Sequence, residues 1–184
     1  REHDPSAELL FVGTPNGMEA RLVPQAGYRL ETMHVAGFQR KMSWKNVKRN
    51  VKAAYYLATS QPRARKIVRQ FQPDVAIGTG GYVAGTILHA AAHLGIPCAI
   101  HEQNAFPGVT NKMLSKEVDH VMLTVEQALQ YLHPNCAYTV TGLPVRGGIS
   151  HPDRAAARKK LGFDDSMCIL SFGGSLGAGC INDA

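Results

Sequence analysis

The sequence predicts an α/β fold built on a parallel sheet, and three observations carry that reading. Apolar strand-like runs alternate with helical segments along almost the whole chain, the order that produces βαβ units. Two of the runs, 74–78 and 96–102, stop abruptly in small or polar residues, as a parallel strand does when it delivers a loop to the carboxyl edge of a sheet. Between them, Val83 to Gly95 is an apolar stretch of helical length closed by a glycine, which completes a βαβ unit. The alternation as a whole argues a doubly wound, Rossmann-like domain, and that carboxyl edge is where such domains bind ligands.

In chain order, Leu9 to Val12 reads as a strand and Pro15-Asn-Gly17 as a turn. Met18 to Val23 reads as a short helix, Pro24 to Gly27 as a break and Tyr28 to Val35 as a second strand. Ser43 is placed to cap a helix in which Trp44, Val47, Val51 and Ala54 or Tyr55 form one apolar stripe. Pro62 permits a helix start, and Arg63 to Phe71 turns Ile67, Val68 and Phe71 inward before Pro73 ends the segment. Beyond the βαβ unit, Asn111 to Glu117 reads as a helix, Val118 to Leu123 as a strand, Val125 to Leu132 as a helix and Ala137 to Thr141 as a strand. After Arg146 the character changes. Gly147-Gly148 leads to a polar helix, Arg154 to Leu161, with Asp153 near its start, and Cys168 to Phe172 opens a new strand. We therefore expect one domain over 1–146, with a linker and the beginning of a second Rossmann-like domain over 147–184. The absence of an initiator Met and a stop inside an expected helix make both ends look cut.

With 184 residues and 45% hydrophobic content the chain can bury a sizeable core. Cys98, Cys136, Cys168 and Cys180 show no Cys-x-x-Cys pair or zinc-ligand spacing, which favours reduced thiols in a cytosolic protein over disulfides. No apolar run approaches the ~18 residues of a membrane span. The net charge of +6 is concentrated. From Thr32 to Pro73 there is no Asp or Glu, while ten of the 20 Lys and Arg fall there. Such a segment seeks an anionic partner, whether lipid headgroups, nucleic acid or a phosphorylated substrate, or else forms a solvated helix face. The stripe beginning at Trp44 is either core or an interfacial helix on an anionic bilayer. Aromatics are not interleaved with the cations as base stacking would need, apart from Trp44 and the Tyr55-Tyr56 pair, which argues against nucleic acid.

Gly78-Thr-Gly-Gly81 and Gly173-Gly-Ser-Leu-Gly177 each follow a strand and precede a helix, where backbone N–H groups and the helix dipole can hold a phosphate. Neither carries the Lys-Ser or Lys-Thr of a Walker loop. His101-Glu-Gln-Asn104 ends its strand with four hydrogen-bonding side chains, suited to a polar substrate or to an internal loop network. Ala105 and Phe106 stand where a metalloprotease would need a second His, so no metal is expected there. His89 and His93 share a helical face with no third ligand accompanying them, and a surface or core pair is the plainer reading. Arg146 can pair bidentately with a diphosphate or form an interdomain salt bridge.

Taken in order, Gly78-Thr-Gly-Gly-Tyr-Val-Ala-Gly85, Gly95-Ile-Pro97, His101-Glu-Gln-Asn104 with Pro107-Gly-Val-Thr-Asn111, Gly142-Leu-Pro-Val-Arg146 and Gly173-Gly-Ser-Leu-Gly-Ala178 resemble the MurG family of N-acetylglucosaminyltransferases. Phe11-Val-Gly-Thr14 with Met18-Glu19, and Val35-Ala-Gly-Phe38, also fit. The resemblance implies a GT-B architecture, two Rossmann-like domains facing across a cleft, and transfer of N-acetylglucosamine from UDP-N-acetylglucosamine to lipid I without a cofactor or metal. It implies that Asn104, Arg146 and Ser175 meet the sugar nucleotide, with Gly173, Gly174 and Gly177 as its phosphate loop. Gly80, Gly81, Tyr82, His101 and Glu102 would line the side of the lipid acceptor. Trp44, Val47, Lys48, Val51, Lys52 and Tyr55 would seat the protein peripherally on the anionic cytoplasmic face of the bacterial membrane. Leu143 and Leu176 depart from the usual Asn and Gln of the family pattern. The family's first glycine loop, with the usual candidate for catalytic base, is expected upstream of Arg1, and most of the uracil pocket beyond Ala184. The 184-residue piece alone is expected to be inactive.

Overall fold

The computed structural model describes residues 4–35, 59–145 and 153–169, and the chain divides into two compact units, Arg1–Leu143 and Pro144–Ala184. In the first unit, β1 (Leu10–Gly13) pairs in parallel with β2 (Arg29–Thr32) across α1 (Glu19–Gln25). A helix over 59–71, α2, leads to β3 (Ala76–Gly78), α3 (Gly81–Ala92), β4 (Cys98–Glu102), α4 (Val109–Leu114), β5 (His120–Leu123), a 3-10 segment (Glu126–Tyr131) and β6 (Tyr138–Val140). The last four strands form a parallel sheet in the order β3-β4-β5-β6. Each neighbour in that sheet is the next strand in sequence, which short crossovers on a twisted sheet readily allow.

α3 is the hinge of the packing. One side of it sends Leu88 and Ala91 into a core with Cys98, Ile100, Val121 and Leu123 of the sheet, together with Val68 of α2. Another side sends Ala90 into a smaller core with Met33 and Ala64, flanked by Val12, Val83 and Ile87. A helix apolar on more than one side must be covered on more than one side, and the two cores do this. Leu88, Ile100, Val121 and Leu123 are at most 1% exposed.

Several boundaries differ from the sequence reading for local reasons. α1 runs through Pro24 to Gln25, because Pro24 sits in the last turn, where the carbonyls of Leu22 and Val23 accept from Ala26 N and that of Pro24 from Gly27 N. α2 begins before Pro62. The segment expected as a helix over 125–132 is a 3-10 segment, a tighter form that suits short connections. In the second unit, α5 (Arg154–Leu161) matches the expected bounds. Asp153 accepts from Ala156 N at 2.9 Å and Gly162 closes the helix at φ 71°. Cys168 and Ile169 are not in a strand, and the remainder of that expected strand lies outside the described residues.

Candidate functional site

The carboxyl edge of the four-stranded sheet is built by three glycines at positions ill suited to a side chain and one carboxylate that needs its neighbours. At the end of β3, Gly78 packs so closely on α3 that a Cβ there would lie 2.5 Å from Leu88 Cδ1. Gly80 then turns with φ 99° and Gly81 with φ 81°, a region costly for residues bearing a Cβ. This turn opens α3, whose N-terminus has no side-chain cap. Its first N–H groups therefore point outward with the positive end of the helix dipole. Tyr82, the next residue, is 56% exposed.

At the end of the adjacent strand β4, Glu102 is 1% exposed. Its Oε1 accepts from Asn104 N at 2.9 Å and Asn104 Nδ2 at 3.1 Å. Its Oε2 accepts from Asn111 Nδ2 at 2.8 Å and Gly108 N at 3.3 Å. Four donors converge on two oxygens, the arrangement a buried carboxylate requires. His101, also buried, places Nε2 3.0 Å from the Gly142 carbonyl. A carbonyl only accepts, so Nε2 carries the proton and Nδ1 accepts from Gln103 Nε2 at 3.0 Å. His101 thereby braces the chain after β6 against β4.

The sequence-predicted residues fall in different surroundings. His101 and Glu102, expected to touch the lipid acceptor, have their polar atoms engaged inside the protein, because a short parallel strand between two others buries its terminal residues. Their hydrogen bonds reach the loop at Asn104, Gly108 and Asn111 and the Gly142 carbonyl. Gly80, Gly81 and Tyr82 follow the end of β3, with Gly81 and Tyr82 exposed, and Asn104 is exposed while its amide nitrogen is held by Glu102. Arg146, Ser175, Gly173, Gly174 and Gly177, and the expected membrane contacts Trp44, Val47, Lys48, Val51, Lys52 and Tyr55, lie outside the described residues.

Two features were not assigned from sequence. Asn111, 3% exposed, holds Glu102 through Nδ2, while its Oδ1 is buried without a hydrogen-bond partner. A Cβ on Gly80 would come within 3.7 Å of that oxygen, so an unpaired acceptor atom stands beside the glycine turn. The run Pro107 to Asn111 belongs to the family-like pattern of the sequence, but nothing local to it indicates that Asn111 folds under β4. Second, Phe106, Val109 and Met113 are all more than half exposed, and Lys112 Nζ stands 4.8 Å from the Tyr131 ring centroid. Together with Lys116, His133 and Pro134, Val109, Lys112, Met113 and Tyr131 line an open cavity of about 430 Å³. The expectation that His89 and His93 have no third ligating group is also corrected. Glu117, 24 residues beyond His93, stands against them.

Residues 1–123 match the glycosyltransferase family 28 N-terminal domain. The chain is 43% identical over 183 residues to a protein of Acetivibrio thermocellus, covering 99% of this chain and 48% of that one. It is 45% identical over 188 residues to a protein of Clostridioides difficile, covering 100% of this chain and 45% of that one. Both relatives bear the name UDP-N-acetylglucosamine--N-acetylmuramyl-(pentapeptide) pyrophosphoryl-undecaprenol N-acetylglucosamine transferase. The crystal structure of Acinetobacter baumannii MurG superposes with a TM-score of 0.55 at 28% identity, over 80% of this chain and 40% of that one. The chain thus spans about half the length of the curated relatives it matches.

Proposed function

The chain belongs to glycosyltransferase family 28, and from that premise we propose that it forms the acceptor-side half of an enzyme that transfers N-acetylglucosamine from UDP-N-acetylglucosamine to lipid I, making lipid II for peptidoglycan. The observation that carries this reading is the uncapped start of α3 at Gly80 and Gly81, beside the unpaired Oδ1 of Asn111. Backbone N–H groups at a helix start suit the diphosphate of a lipid-linked sugar. A buried carbonyl oxygen beside them suits a sugar hydroxyl or amide N–H.

Glu102 and His101 act here as positioning residues. They hold Asn104, Gly108 and Asn111 in place before any ligand arrives, so ordering of the loop does not have to be supplied by binding. Arg146 and the loop containing Ser175 would stabilise the departing UDP diphosphate by a guanidinium and fixed N–H dipoles. The membrane surface is reached through the acid-free basic segment and Trp44, Val47, Val51 and Tyr55. Exposed Phe106, Val109 and Met113 with Lys112 support a second apolar and cationic contact on the same unit. No helix among the described residues is long and apolar enough to cross a membrane.

Labelled sugar transfer by the protein carrying this chain tests the assignment. A soluble lipid I analogue is expected to gain N-acetylglucosamine from UDP-N-acetylglucosamine. Transfer to a different acceptor, with the muramoyl diphosphate ignored, overturns the acceptor assignment.

A further inference from the structure

At the opposite end of α3 from the glycine turn, three ligand-bearing side chains converge. His89 and His93 lie four residues apart on one face of the helix end, with ring centroids 4.1 Å apart. Glu117, in the turn between α4 and β5, places Oε2 2.7 Å from His89 Nδ1. One nitrogen or oxygen from each of the three lies within 4.8 Å of the others, the group of this kind found among the described residues.

We propose that His89, His93 and Glu117 form a binding site for a divalent transition cation of the zinc class. The donor set is two imidazoles and one carboxylate, the borderline ligands that Zn²⁺ and its neighbours take, whereas Mg²⁺ and Ca²⁺ prefer oxygen alone. Bonds of about 2.0–2.1 Å in a tetrahedral arrangement set ligand atoms roughly 3.3 Å apart. The observed separations bracket that value, and the side chains that must adjust are more than one-third exposed at His89 and Glu117. His93 is oriented for the role. Its Nδ1 lies 2.9 Å from the His89 carbonyl, which only accepts, so Nδ1 holds the proton and Nε2 keeps a free lone pair. A backbone carbonyl holding one ring nitrogen of a histidine is the usual outer support of a metal ligand. The proton shared by His89 and Glu117 is the one that a cation replaces. It moves to the other ring nitrogen, giving the neutral tautomer that binds metal. Water fills the fourth position, since the site opens to solvent.

The consequence is structural. α3 and α4 already approach closely, because a Cβ on Gly85 would meet Thr110 Cγ2 at 2.8 Å. A cation would fasten the far end of α3 to the turn after α4, which steadies the two helices that present Gly81 and Asn111.

The test uses the untagged chain and Zn²⁺ alone as the probe, read by calorimetry and by thermal melting. One equivalent is expected to bind and to raise Tm by roughly 5 °C at a hundredfold excess over Kd. His93→Gln and Glu117→Gln are each expected to weaken binding roughly tenfold or more. His133→Gln leaves it unchanged, and Mg²⁺ does not compete. Absence of stoichiometric binding overturns the proposal, as does binding that survives both ligand substitutions. If His93→Gln lowers Tm in metal-free buffer as much as in zinc, the three residues form only a hydrogen-bonded surface cluster.

Discussion

Glu102 Oε2 accepts a 2.8 Å hydrogen bond from Asn111 Nδ2, tying the end of β4 to the first turn of α4. The bond is buried at both ends, so removing it leaves polar groups unpaired in a dry place. Glu102→Ala is expected to destabilise the fold by about 2–4 kcal/mol in urea unfolding. Glu102→Gln is expected to cost about 1–3 kcal/mol, because its amide nitrogen would face two donors. A loss below about 0.5 kcal/mol for both would mean that the network does not hold the loop.

Gly78 has no room for a side chain against Leu88. Gly78→Ala is expected to cost about 1–3 kcal/mol by overpacking. Leu88→Ala opens that space, so the double variant should be more stable than the sum of the single losses predicts, by at least about 0.5 kcal/mol. Strictly additive losses in the same denaturation series would contradict the contact.

Glu19 caps the loop after β1, accepting from Thr14 N at 2.7 Å and Thr14 Oγ1 at 2.8 Å. The Thr14 N–H above all, then its own backbone N–H and the Thr14 hydroxyl, hold this carboxyl below its ordinary 4.5. A carboxyl lowered in the folded state stabilises the fold above 4.5, and that contribution disappears as the pH falls through the folded value. Acid titration of stability should therefore be shallower below pH 4.5 in Glu19→Gln than in the parent chain. Identical slopes would show that the contact does not bias folding.

Cys98 is 2% exposed, and burial first, then the neighbouring Asp119 carboxylate, push its thiol to about 11. The folded state keeps the proton that the unfolded chain would release from its ordinary value of 9.0. This stability is complete below pH 9.0 and falls away as the pH rises toward 11. At pH 8, iodoacetamide should modify exposed Cys168 promptly and Cys98 only after denaturation, as mass spectrometry of peptides can show. Equal native rates would contradict the packing of β4 against α3.

The alternation of strands and helices was readable because parallel strands covered on both faces are continuous apolar runs, as Ile100 and Val121 illustrate. The Gly80-Gly81 turn was readable because glycine marks backbone that other residues avoid. What the sequence concealed were contacts between distant segments. Nothing near Glu102 indicates that four donors would enclose it, so its carboxylate looked free to meet a ligand. Asn111 had no local signature, and Glu117 joins His89 only after α3, β4 and α4 have folded. The 3-10 form over Glu126–Tyr131 was equally hidden, since its apolar spacing also suits an α-helix.

Whether the Gly80-Gly81 turn takes the lipid-linked acceptor is decided by binding of a soluble lipid I analogue to the purified chain, measured beside UDP-N-acetylglucosamine. The analogue is expected to bind, and Tyr82→Ala is expected to weaken it roughly tenfold with Tm unchanged. The acceptor assignment would be contradicted by lipid I binding that is absent or indifferent to Tyr82→Ala, while UDP-N-acetylglucosamine binds at the Gly80-Gly81 turn.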